Sequence, residues 1–403
     1  GTIFVVAKGW DAITDPLVGN LSDRTTHPSG RRRPWLLASA PLLAISTVMA
    51  WAPPSSLEGA ALAIWITIAV LGFYTAYTMF EVPHMSLGAE LSLRAPERNR
   101  IFSARQILRI VGMLLAGVGG SQLIENHPEW TPTMAWAVAA ATIGLIVFGV
   151  GLLPRERPEF QGRGGENPFK AVRDVASNPH ARLLLLVLFI DQIGTGGIGV
   201  LTPFVVDYVV GRPELIGALL GANMLASLLG IPVWLRLARR FEKRHLLLAS
   251  MVGSGLGYGS ILMVGPGDWH LVLFSAVLAG SASACPNILG YTLKSEIIDC
   301  DEYRTGERKE GAYFAGWSFV GKLAGGIMVG VVGWALAWVG FDGQAETQSE
   351  TVQTTMVALM GGFPLVCYLI GAAFFTRFSL TEAEHARIRA ELDARTAAAQ
   401  ASS

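Results

Sequence analysis

An all-helical protein threaded repeatedly through a membrane is the fold class this sequence predicts, and three observations predict it. Of its 403 residues, 51% are hydrophobic and 15% charged, whereas a soluble domain carries about 25% charged residues. Mean hydropathy is +0.44, and the apolar residues gather in windows of about 20, the length a helix needs to cross the hydrocarbon core. Lysine and arginine, finally, crowd into alternate connections between those windows. The formal net charge of zero supplies no field that would draw nucleic acid. Cys285, Cys300 and Cys367 match neither a CxxC nor a zinc spacing and make no disulfide framework.

Taken in order, spans are predicted over 2–22, 35–52, 60–89, 98–123, 132–153, 181–209, 214–237, 245–265, 270–298, 311–340 and 353–377. Basic residues follow the first, third, fifth, seventh and ninth: Arg24 with Arg31–Arg33, Arg94–Arg100, Arg155–Arg173, Arg239–Arg244 and Arg304–Lys309. The intervening connections lack Lys and Arg except for Arg212. By the positive-inside rule the basic loops and the C-terminus are cytoplasmic, which makes this a multi-pass plasma (inner) membrane protein. Gly1 then starts outside. An odd count from an outer start implies an initial helix beyond this chain, for a total of twelve.

The two halves echo each other. "RRRPWLLAS" (31–39) is similar to "EKRHLLLAS" (242–250), and "LLAGVGG" (114–120) to "KLAGG" (322–326). The long connection Pro154–Asn178 separates them. The organisation expected is an N-terminal bundle over 1–154 (helices 2–6 of twelve), an inter-bundle loop over 155–178, a C-terminal bundle over 179–378 (helices 7–12) and a cytoplasmic tail over 379–403. Paired six-helix halves resemble the major facilitator architecture, which places its substrate site near the midplane between them.

Ionisable groups inside spans are rare, because each costs about 2.5–3.5 kcal/mol even on the lenient insertion scale. This chain keeps Lys8, Asp11, Asp15, Glu81, Arg105, Asp191 and Lys322 there. The plain account is structural ion pairs and side chains reaching for the interface. Asp11 and Asp15, however, are four apart and share one helix face. Two carboxylates that close in a low dielectric do not both stay ionised without a cation or a proton. Thr14 lies between them, and Thr78 and Glu81 add oxygen ligands from the third span. Oxygen donors suit a hard cation rather than a transition metal. Arg105 and Lys322 are candidate counter-charges. Pro83 and Pro286 occupy matching places in the two halves, where proline frees backbone carbonyls; His84 reads as a hydrogen-bonding residue. There is no GxSxG, HExxH or P-loop, so no enzyme and no cofactor is expected, only a coupling ion, sodium or proton.

Several motifs together resemble the glycoside–pentoside–hexuronide:cation symporters, the melibiose-permease family. "WDAITDPLVGNLSDRT" with "GRRRPWLL" is similar to its second-helix signature. "EVPHMSLGAELS…ERNRIFSAR" resembles its fourth helix and following loop, "DCDEYRTGERKEGAYFAGWSFVGKLAGG" its tenth-to-eleventh-helix segment, and "SLTEAEHARIRAEL" its tail. The resemblance implies alternating access. It implies a cation (sodium) site at Asp11, Thr14, Asp15 and Thr78, and a substrate and coupling site at Glu81, Met85, Arg105 and Lys322. It implies a gate at Gly19, Asp23, Arg24, Arg98 and Arg308, with Arg100, Glu296, Asp299, Asp301 and Glu302 as further members. Met85 stands where an aromatic stacks on sugar in melibiose permease, and Glu81 replaces an aspartate. The expected cargo is a sugar or other small organic solute, or a lysophospholipid as in the family's vertebrate branch. The expected partners are that small-molecule or lipid substrate, a coupling cation and membrane lipids, around a monomer that binds no nucleic acid. Arg31–Arg33 and Arg239–Arg244 are expected to face lipid headgroups, and 382–396 to form an amphipathic helix.

Overall fold

The computed structural model describes residues 2–120, 124, 126–154, 156, 173 and 175–401. Most of the predicted inter-bundle loop, and the side chain of Lys8, lie outside the described residues. Secondary structure among those described is helical throughout: α1 Thr2–Arg24, α2 Arg33–Trp51, α3 Gly59–Glu90, α4 Ala95–Leu114, α5 Thr131–Leu152, α6 Pro179–Thr195, α7 Ile198–Phe204, α8 Ile216–Leu237, α9 Lys243–Gly259, α10 Trp269–Cys285, α11 Tyr291–Thr305, α12 Glu310–Trp338, α13 Glu350–Val357, α14 Phe363–Phe375 and α15 Glu382–Ala401. Wide five- or six-residue π turns extend α4 and α7, and join α10 to α11 and α13 to α14.

Nine helical segments among the described residues are long and apolar enough to span a bilayer. α1 and α4 are helices at two further predicted spans, but they carry more charge. Large apolar side chains stay exposed, as with Leu108 and Leu145 at 71% and Trp338 at 77%; a helix turned to lipid needs no other cover for them. Pro286 opens the wide turn Pro286–Gly290, and the Asn287 amide donates to the Ser283 carbonyl at 2.8 Å beside it. The expected matching break at Pro83 is not found: α3 runs unbroken through it.

The chain folds as two compact units. The first holds 1–98, 112–178 and 298–319. In it α1 packs on α3, and α2 on both α3 and α5, around Leu36, Leu87 and Val150 and around Val18, Val82 and Ala315. The second holds 99–111, 179–297 and 320–403. Within it α10 packs on α8 and α9, and α14 on α6 and α9, around a core that includes Leu201, Val205, Ile261, Met328, Val352 and Met356. The tail helix α15 buries Ile388 and Leu392, as its predicted amphipathic pattern requires.

The start of α2 is fastened by a distant carboxylate. Glu156 accepts the backbone N–H of Arg31 at 2.7 Å, of Arg32 at 3.1 Å and of Arg33 at 3.0 Å, satisfying donors that a helix N-terminus otherwise leaves open. Gly30 makes room for it: its φ is +113°, and a Cβ there would run into the Glu156 carboxylate. Gly30→Ala is expected to destabilise the protein by about 1–3 kcal/mol for the backbone alone, and more as the carboxylate is displaced. Thermal unfolding in detergent checks it.

Candidate cation site and a buried ionic network

Position four apart on α1 turns Asp11 and Asp15 inward together, 1% and 0% exposed, with Thr14 at 8%. α3 supplies the facing hydroxyl: Thr78, 0% exposed, donates from Oγ1 to Asp15 Oδ1 at 2.7 Å. One turn away the Trp10 indole donates to Thr75 Oγ1 at 2.7 Å, a second tie between the same two helices. Thr14 donates its own proton to the Trp10 carbonyl at 3.2 Å, which leaves its oxygen lone pairs as acceptors. Two carboxylates and two hydroxyls within the first unit make an all-oxygen donor set. Among the described residues no three of His, Cys, Asp and Glu gather as a metal cluster. Oxygen donors of this kind suit a hard cation rather than a transition metal.

Glu81, half-buried, and Met85, 4% exposed, follow Thr78 along α3. His84 stacks on Phe80, ring centroids 5.0 Å apart. Arg105 and Lys322 belong to the second unit. There the Arg105 guanidinium lies 5.3 Å from the centre of the Tyr291 ring and Lys294 Nζ 4.5 Å from it, while Tyr291 stacks on Phe102. Lys294 was not among the candidates, although it falls inside the apolar window 270–298 and that placement is the signal that finds it.

The gating residues assemble within the first unit, in a larger network than the motifs indicated. Arg31, Arg32, Arg98 and Arg308 are each 0–1% exposed. Arg31 bonds Glu310 at 2.7 Å and Glu90 at 3.1 Å. Arg32 bonds Glu90 through Nε at 2.8 Å and Asp23 through Nη2 at 2.5 Å. Arg98 reaches Asp299 at 3.0 Å. Arg308 pairs with Asp299 at 3.2 Å, and also with Glu302 and Glu310. Asp23 further accepts the N–H groups of Gly311 at 2.8 Å and Ala312 at 3.0 Å, capping α12. Gly19 allows the close approach beside it, since a Cβ there would lie 2.5 Å from the Gly311 carbonyl oxygen. Burial opposes the charge on Arg32 and Arg308, but the surrounding carboxylates outweigh it and push both guanidinium groups up.

Three expectations change. Arg31 and Arg32 do not face headgroups: they turn inward because Glu90 and Glu310 lie buried beside them. Arg24 and Arg100 are exposed and stand outside the network. Glu296 pairs with buried Lys243 at 3.0 Å in the second unit, and Lys243 also holds Glu382 of α15 at 2.7 Å. An apolar groove of about 840 Å³ lies among α2, α3 and α5, lined by Thr47, Trp51, Phe73, Tyr77 and Phe80 among others. None of the candidate site residues lines it.

The described residues thus form a polytopic helical protein with buried acids on its spans. The family model described as "MFS/sugar transport protein" matches residues 1–382, and the chain belongs to that family of transporters, not enzymes. It is 26% identical to the inner membrane symporter YicJ of Escherichia coli, over 94% of this chain and 84% of that one. It is also 26% identical to the human sodium-dependent lysophosphatidylcholine symporter 1, over 94% and 76%. Among solved structures it is similar to the major facilitator transporter FucP in its outward conformation, with a TM-score of 0.69 at 14% identity, over 94% of this chain and 90% of that chain. The fold is thus that of the major facilitator transporters.

Proposed function

We propose that this protein is a cation-coupled secondary symporter working by alternating access, with sodium as the coupling ion. The observation that carries the reading is the buried Asp15–Thr78 contact one turn from Asp11. An ion entering among these oxygens neutralises the acids, and its loss restores their charge, so occupancy biases the conformational equilibrium. Asp11, Thr14, Asp15 and Thr78 bind the ion; Glu81, Met85, Arg105 and Lys322 bind substrate and couple it. The network of Asp23, Arg98 and Arg308, now with Arg31, Arg32, Glu90 and Glu310, serves the cytoplasmic gate, with Gly19 at its helix crossing. The basic loops and the C-terminus face the cytoplasm of the inner membrane, and the working unit is a monomer.

The family's description favours a sugar or another small organic solute as cargo. A lysophospholipid is the second reading, favoured by buried Met85 where the resemblance places an aromatic and by the relatives named for lysophosphatidylcholine. Thermal unfolding of the purified protein across sugars and lysophospholipids, with sodium or choline as the cation, tests both. One class of solute should stabilise the protein more in sodium than in choline. In proteoliposomes, uptake of that solute should follow an imposed sodium gradient; uptake indifferent to sodium and to protons would refute the coupling.

A further inference from the structure

The second unit carries an acid that the proposed sodium site does not use. Asp191 lies on α6 against α14, with Oδ1 placed where a Cβ on Gly371 would come within 2.5 Å, and the Met251 methyl from α9 is 3.0 Å from that same point. Only a glycine at 371 lets the carboxyl rest on the bare backbone of α14. Oδ1 is buried with no hydrogen-bond partner, and no Lys, Arg or His stands at ion-pair distance from Asp191 among the described residues. The groups that face it are weak acids or neutral. Cys367 and Tyr368 lie on α14 four and three residues before Gly371. Met251 comes from α9, where Tyr258 stacks on Tyr368. On α12 the nearest charged side chain in sequence is Lys322, next to Gly321, which meets the Gln192 amide and not Asp191. Thr195 donates to the Asp191 backbone carbonyl at 3.0 Å and leaves the carboxyl alone.

A carboxylate packed this way carries a desolvation cost that no neighbouring cation among the described residues offsets. Ionisable groups held inside membrane spans mark ion or proton pathways. The residue as a whole nevertheless retains partial exposure.

We propose that Asp191 is a second, proton-binding site, which takes a proton from water and returns it during the transport cycle while sodium is handled at Asp11 and Asp15. The cycle rests on the symport reading; the bound proton does not. Protonation at Asp191 adds one H⁺ to the carboxylate, and release reverses it, with no other reactant.

Infrared spectra of the full-length protein in lipid test this through the protonated-carboxyl C=O stretch. The wild type should show the band at neutral pH, shift it in D₂O and lose it on alkalinisation, whereas Asp191→Asn should lack it. Asp191→Ser serves as a second variant should the first fold poorly. Asp15→Asn should keep the band while losing its response to sodium, which separates failure of this proposal from failure of the sodium site. A wild-type spectrum matching that of Asp191→Asn, or a band that neither shifts in D₂O nor titrates, overturns the proposal.

Discussion

Asp15→Asn is expected to abolish sodium-dependent stabilisation and leave the fold in place. Asparagine keeps the volume and the Oδ1 acceptor that takes the Thr78 proton at 2.7 Å, so the α1–α3 contact survives. What goes is the negative charge at a position 0% exposed, where electrostatic attraction is least screened. An ion bound at about 100 times its Kd stabilises the native state by about 2.7 kcal/mol, and that whole increment should vanish from thermal unfolding in sodium against choline. Asp11→Asn should act in the same direction. An unchanged sodium response in both variants would remove the basis for placing the ion here.

Arg32→Met should give a large loss of stability. The guanidinium touches Glu90, Asp23 and the Ser22 hydroxyl, all buried. Removing one partner of a buried pair while stranding the other costs about 3–5 kcal/mol; here Glu90 keeps Arg31 and Asp23 keeps the N–H groups of Gly311 and Ala312, so the loss should fall at the lower end of that range. Arg32→Lys should recover part of it, because the ammonium keeps the charge but not the planar fork that serves several acceptors at once. Arg24→Ala, at an exposed position, should stay within about 0.5 kcal/mol of the parent. Thermal unfolding of the three variants side by side decides the matter; equal losses for Arg24 and Arg32 would count against a structural network.

The spans were the most readable part of the sequence, since a bilayer demands long apolar helices and marks their ends with charge. Boundaries such as 60–89 against Gly59–Glu90 and 311–340 against Glu310–Trp338 differ by one or two residues. The acid pair was legible for the same reason that it is costly: charge inside an apolar window stands out. Helix periodicity then put Asp11 and Asp15 on one face, and Thr78 was read with Glu81 as an oxygen ligand from the third span before the family motif placed it in the cation site. The ionic network was only half legible. Arginines following a span look alike whether they meet headgroups or buried acids, and nothing near residue 31 announces that Glu90 and Glu310, 59 and 279 positions away, come to meet them. Glu156 was invisible for the same reason, as an isolated acid in a connection. Pro83 shows the opposite limit: a residue that breaks helices in general is absorbed here without a break.

Sharing within the network has a kinetic consequence. Glu90 holds Arg31 and Arg32, Asp299 holds Arg98 and Arg308, and Glu310 holds Arg31 and Arg308. Drawing out any one arginine leaves its acid leaning on the next, so the contacts yield collectively. Such a lattice is bistable rather than elastic. Opening of the network is therefore expected to be cooperative, with partly released forms little populated.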